Sequence, residues 1–139
     1  MKELRIEARV GNIDAVTDFV NEALEGMDCP VRARLQIDVA IDELFSNIAN
    51  YAYPQGEGAA VVRVEEGAEP RAALITFMDW GTPFNPLSRP DPDTTLSAEE
   101  REIGGLGVFL VKKTMDEITY EYKDGHNILR IRKKMQEDK

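Results

Sequence analysis

Asp38-Val39-Ala40-Ile41-Asp42-Glu43-Leu44-Phe45-Ser46-Asn47-Ile48-Ala49-Asn50-Tyr51 has the pattern of a helix with two unlike faces. At about 100° per residue, Ile37, Ile41, Leu44, Phe45, Ile48 and Ala52 share one broad apolar face. Gln36, Glu43, Asn47 and Asn50 gather on the other side. The periodicity extends the helix over residues 31–51, from Cys29-Pro30 to a stop ahead of Pro54, because the residue before a proline avoids helical backbone. Glu43 and Asn47 stand four residues apart and are therefore surface neighbours. A polar helix face is often simply solvated, and any one glutamate is explained that way. Ser46, Asn47 and Asn50 in mid-helix are less ordinary, since each costs roughly half a kcal/mol against alanine. A carboxylate beside an amide oxygen offers a proton acceptor and a hard-metal ligand in one place.

Upstream, residues 2–10 alternate Leu4, Ile6, Ala8 and Val10 with charged positions, the pattern of a strand with one wet face. Gly11-Asn12 breaks it, and residues 13–27 carry Val16, Phe19, Val20, Ala23 and Leu24 at helical spacing. Downstream, residues 59–66 and 71–79 read as two strands joined by a turn. Residues 80–102 hold four prolines and little apolar periodicity, which makes them a long loop of the kind usually tied to function. A short helix follows over residues 105–115, then a hairpin of residues 118–123 and 127–133 around Asp124-Gly125. This order predicts an α+β fold: a two-layer sandwich with helices on one face of a mixed, mostly antiparallel sheet.

The 139 residues are expected to form a single domain, with one core deep enough to bury most of the apolar surface. No apolar run approaches the roughly 18 residues that a membrane span needs. The N-terminus lacks the apolar stretch of a signal peptide, and Cys29 has no cysteine to pair with, so a cytoplasmic home is expected. A net charge of −9 argues against direct binding of nucleic acid, which relies on lysine and arginine to neutralise phosphates. His126 and Cys29 lie far apart and show no zinc spacing.

Two further features carry chemistry. Phe77-Met78-Asp79-Trp80-Gly81-Thr82-Pro83 ends an apolar strand in an acid and a glycine. Such residues make turns, yet a carboxylate fixed at a strand end also accepts a hydrogen bond from an exocyclic amine such as that of adenine. Gly104-Gly105-Leu106-Gly107 opens the short helix. It serves either as a hinge or as a place where free amides and the positive helix end meet phosphate. No Gly-Lys-Ser/Thr follows, so it is not a Walker loop.

In this order and spacing, the three features resemble the histidine-kinase-like ATPase (GHKL) superfamily. Glu43-x-x-x-Asn47 looks like its N box, Asp79-Trp80-Gly81 its adenine-binding turn, and Gly104-Gly105-Leu106-Gly107 its phosphate-side glycine box. Residues 87–103 would be its ATP lid. Asp79-x-Gly81-x-Pro83-Phe84-Asn85-Pro86 and Gly105-Leu106-Gly107-Val108-Phe109-Leu110-Val111-Lys112-Lys113 resemble, within it, the stand-alone anti-sigma-factor serine kinases of bacteria.

The resemblance implies an ATP- and ADP-binding protein serine/threonine kinase that acts with magnesium. Its partners would be a sigma factor and an antagonist protein that it phosphorylates, and it would form a homodimer. Glu43 would be the catalytic base. Asn47 would hold the metal, and Asn47, Asn50, Asp79, Gly81, Gly104, Gly105, Leu106 and Gly107 would contact the nucleotide. Arg89 and Arg101 in the lid are candidates for the γ-phosphate, whereas Lys112 and Lys113 complement the end of the last helix. Two positions depart from the family pattern. Ile103 stands where relatives often have a glycine, and Asn127 stands near a threonine that supports the adenine pocket. The alternative is a regulator that binds nucleotide and sequesters a partner without phosphorylating it.

Overall fold

The computed structural model describes residues 1–54, 56–67, 71–88 and 105–135. The chain runs β1 (Lys2–Glu7), α1 (Ile13–Glu25), α2 (Val31–Tyr51), β2 (Ala59–Gly67), β3 (Ala72–Asp79), α3 (Gly105–Thr114), β4 (Glu117–Lys123) and β5 (His126–Lys134). The five strands form one sheet in the order β1-β2-β3-β5-β4, and each of the four ladders is antiparallel. With three helices beside it, this is the α+β arrangement expected from the periodicities.

Register explains where the core lies. Leu4, Val62, Phe77, Leu129 and Tyr120 pair across all five strands in one row, and the next row contains Val64, Ile75, Ile131 and Ile118. Successive residues of a strand point to opposite faces, so these rows share a face. Against them pack Val16, Val20 and Leu24 of α1 and Ile37, Ile41, Leu44 and Phe45 of α2, all fully buried. Full burial of each such side chain contributes about 1.5–3 kcal/mol. One step further along the same face, the row reads Ile6, Ala60, Asp79, Asn127 and Tyr122. Two polar residues therefore replace apolar ones where the core runs out beneath the C-terminal end of α2.

The first strand ends at Glu7 rather than continuing to Val10, because residues Val10–Asn12 form a 3-10 turn. Asn12 secures that turn: its side-chain amide donates to the Glu7 carbonyl at 2.9 Å and its backbone N–H to Arg9 at 2.9 Å. After β3 a second short 3-10 turn covers Pro86–Ser88. The lid positions Arg89, Arg101 and Ile103, with Gly104, lie outside the described residues. Among the described residues, no helix is long and apolar enough to cross a membrane.

Candidate functional site

The sheet supplies the floor of the site. Asp79 and Asn127 are cross-strand partners in β3 and β5, and both are buried. The Asn127 side-chain amide donates to Asp79 Oδ1 at 2.8 Å and to the Thr82 carbonyl at 2.9 Å. Its oxygen accepts from the Phe84 N–H at 3.2 Å and from the Tyr120 hydroxyl. Only this orientation of the amide satisfies all four partners, since its nitrogen donates and its oxygen accepts. Asn127 therefore ties β3, β4, β5 and the turn after β3 into one unit. Sequence reading marked it only as a departure from a family pattern. The signal available was its phase: Asn127, Leu129 and Ile131 share the core face by period two.

Both hydrogen bonds that described residues make to Asp79 land on Oδ1, the second from the Gly81 N–H at 2.9 Å. Burial raises the carboxyl above the ordinary aspartate range, and the bonds from Asn127 and Gly81 offset part of that rise. Gly81 is required by close packing. A Cβ there would overlap the Ala52 carbonyl and lie 2.7 Å from the Ala52 Cβ. The Thr82 N–H donates to that same Ala52 carbonyl at 2.9 Å, so the turn is clasped to the C-terminal end of α2. Tyr53 adds a second clasp, donating to the Ala59 carbonyl at 2.6 Å and accepting from the Trp80 N–H at 2.9 Å.

Above this floor lies a narrow cavity of about 20 Å³, room for about one water. Asp79, Asn127 and Asn47 are its polar lining, and Leu44, Ile48, Phe77 and Leu129 are among its apolar walls. Phe84 and Pro86 close one side, and Phe84 stacks at a tilt on Tyr51 with 5.4 Å between ring centres. Apolar walls with a few convergent polar groups are what a small-molecule site requires. Parted to admit it, these walls would suit a flat heterocycle bearing an amine, its rings against Leu44, Ile48 and Leu129 and its amine towards the buried Asp79 carboxylate.

Glu43 sits one turn before Asn47 on α2 and is half-buried. Glu43 is not left to solvent, because α3 packs on α2 there. A Cβ on Gly107 would overlap the Glu43 carboxylate, so the glycine makes room for the acid. Burial raises the Glu43 carboxyl, the neighbouring Asp42 raises it further, and Asn47 offsets part of the rise. Gly105 and Leu106 form the first turn of α3. Asn50 is exposed and outside the cavity lining. At about 100° per residue it is turned further from the apolar face than Asn47. Lys112 and Lys113 occupy the last turn of α3, with Lys113 Nζ 5.4 Å from the centre of the Phe109 ring.

A single amide oxygen and a half-buried carboxylate suit magnesium, which usually takes one or two protein oxygens and completes its shell with phosphates and water. Among the described residues no group of three His, Cys, Asp or Glu forms a metal cage. Any magnesium at Asn47 would thus depend on the nucleotide for its remaining ligands.

Comparison with known proteins agrees with this fold. The chain is 26% identical over 100 residues to a serine/threonine-protein kinase, BtrW, of Bordetella bronchiseptica, covering 72% of this chain and 70% of that one. It is 28% identical over 97 residues to the serine-protein kinase RsbW of Listeria monocytogenes, covering 67% of this chain and 61% of the relative. A crystal structure of the RsbU and RsbW domains of a Mycobacterium tuberculosis protein superposes over 97% of this chain and 33% of that one, with a TM-score of 0.62. Its 13% sequence identity makes that a likeness of fold. The family model described as the histidine kinase-like ATPase domain matches residues 6–133, and the chain belongs to that family.

Proposed function

We propose that this chain is an anti-sigma regulatory factor that binds ATP and phosphorylates a serine or threonine of an antagonist protein, thereby controlling release of a sigma factor. The observation that carries this reading is the pairing of a half-buried Glu43 with Asn47 on α2, at the point where α3 packs over them. A protein that only holds nucleotide has no need of a proton acceptor there. The names of the Bordetella and Listeria relatives support the same activity.

Each residue has a role in this reading. Asp79 accepts a hydrogen bond from the adenine amine, and Gly81 lets the turn approach α2 closely enough to hold that carboxylate in place. Asn47 would hold magnesium through its side-chain oxygen. Backbone amides at Gly104, Gly105, Leu106 and Gly107 hold phosphate oxygens at the positive end of α3. Bound ATP with magnesium supplies the γ-phosphoryl group and neutralises its charge. Glu43 takes the proton of the incoming serine hydroxyl as its oxygen bonds to phosphorus and the bond to the ADP oxygen breaks. A carboxyl raised towards neutrality is better matched to that transfer than an ordinary glutamate. On this reading the protein works in the cytoplasm, as a homodimer.

The test is to incubate the purified protein with labelled ATP and each small antagonist-type protein encoded in the same genome. Phosphoserine or phosphothreonine on one of them is the expected result. Binding of ATP and of a sigma factor without any phosphoryl transfer would replace the kinase with a sequestering regulator.

A further inference from the structure

The cavity over Asp79 has a lining suited to a base and too little room for one. It holds about one water, and a purine is several times larger. Some wall must part before a base can reach the carboxylate. Leu44 and Ile48 belong to α2, and Phe77 and Leu129 to the neighbouring strands β3 and β5, all within the common core. Such walls do not yield singly, because interiors are close-packed. Phe84 and Pro86 differ from the rest. Every other residue lining the cavity lies on α2, at its C-terminal cap Ala52 or on a strand. Pro86 opens a short 3-10 turn, and Phe84 precedes it outside any helix or strand.

We propose that residues 83–86 are a strap that shuts this cavity and swings from Thr82 to admit a nucleotide, with Phe84 against Tyr51 as its latch. The inference rests on the nucleotide-binding reading above. Its hinge is the Thr82 N–H, which donates to the Ala52 carbonyl at 2.9 Å. Phe84 itself is seated by its N–H, 3.2 Å from Asn127 Oδ1, and by its ring, tilted on Tyr51 at 5.4 Å. Both rings meet water, Phe84 being 40% and Tyr51 53% exposed. Release orphans no buried group. Asn127 Oδ1 still accepts from the Tyr120 hydroxyl, and the freed Phe84 N–H reaches solvent, so the penalty of an unsatisfied buried partner is avoided. A closed strap lowers apparent affinity by the fraction of molecules that are open, and it slows association by placing a conformational step in the path. Tyr51 touches the strap but does not line the cavity. Weakening the latch there therefore favours binding without altering the walls.

Stopped-flow association and calorimetry with ADP decide this, using the full chain, Tyr51→Ala, Phe84→Leu and the two together. Phe84→Leu keeps an apolar wall but loses the ring that rests on Tyr51. Each single variant should bind ADP about three- to tenfold faster and tighten Kd by the same factor, the scale of one aromatic pair. Dissociation should stay unchanged. The double variant should gain no more than either single one, because both remove the same contact. Wild-type ADP binding with association within about twofold of wild type in both single variants overturns the strap and leaves the nucleotide reading standing. Faster dissociation at unchanged association makes Phe84 a wall of the occupied site, which also overturns it. Full additivity in the double variant overturns the latch, since the two rings would then act separately. ADP binding by a variant when the wild type binds none upholds the strap. If neither the wild type nor any variant binds ADP, the nucleotide reading falls and the strap with it.

Discussion

In the proposed function Asp79 is a single buried carboxylate that serves recognition at a cost to stability. Its pKa in the folded protein lies above the ordinary aspartate value because burial outweighs the bonds from Asn127 and Gly81. The folded state thus holds this proton more tightly than the unfolded chain. The associated stability is full at pH below the unfolded value and is lost as pH rises through the folded value. Asp79→Asn keeps an oxygen for Gly81 and Asn127 but never ionises, so thermal melting at pH 7 should occur no lower than in wild type. ADP affinity by calorimetry should nevertheless fall about tenfold, since a charged acceptor makes the stronger hydrogen bond. In wild type, ADP affinity should weaken on acidification, starting above the roughly 3.9 of a free aspartate, because protonation turns the acceptor into a donor. A flat affinity profile from pH 7 to pH 4 would contradict the role of Asp79. Asn127→Ala should raise that titration further and weaken ADP binding, as it removes the donor that stabilises the charged form. The place of Asp79 at a strand end was legible in the sequence because an acid and a glycine close an apolar strand. Its support by Asn127 was not, because that contact depends on which residue of β5 pairs opposite β3.

At the scale of elements, the site is made where three pieces of backbone come close, and two glycines mark the contacts. Gly81 meets the backbone of Ala52, which cannot move without disturbing the end of α2. Gly81→Ala should therefore destabilise the protein by about 1–3 kcal/mol, visible as a lower thermal midpoint, and should weaken ADP binding. Gly107 meets a side-chain carboxylate, Glu43, which can swing aside. Gly107→Ala should melt close to wild type yet lose most phosphoryl transfer. Equal loss of thermal stability in the two variants would show that the contact between α2 and α3 is ordinary packing. The helices and strands themselves were legible from periods of 3.6 and 2, with errors confined to ends such as residues 8–10, where Asn12 draws the backbone into a turn. The packing of α3 on the polar stripe of α2 was not legible, because a glycine beside a glutamate across two helices leaves no mark in either segment.

For the whole molecule, one continuous face of the sheet holds both the core and the floor of the cavity. Phe77 is buried within a core row and also lines the cavity. Phe77→Ala should cost about 3–5 kcal/mol of folding stability and should open the cavity proposed to take adenine, so stability to guanidinium and ADP affinity should fall together. A stable variant with unchanged affinity would separate core from site. The family of the fold was readable from three short motifs in order, but the walls formed by Phe84 and Pro86 were not, since only the tertiary path of the turn brings them over Leu44 and Leu129. The central claim is that Glu43 accepts a proton from a protein hydroxyl and does not hold the nucleotide. Its most direct test is Glu43→Gln, with the phosphorylation rate of an antagonist protein and ADP affinity measured on the same preparation. The account predicts a rate lower by about 10²–10⁴ at unchanged ADP affinity. Phosphorylation at the wild-type rate by Glu43→Gln would contradict it.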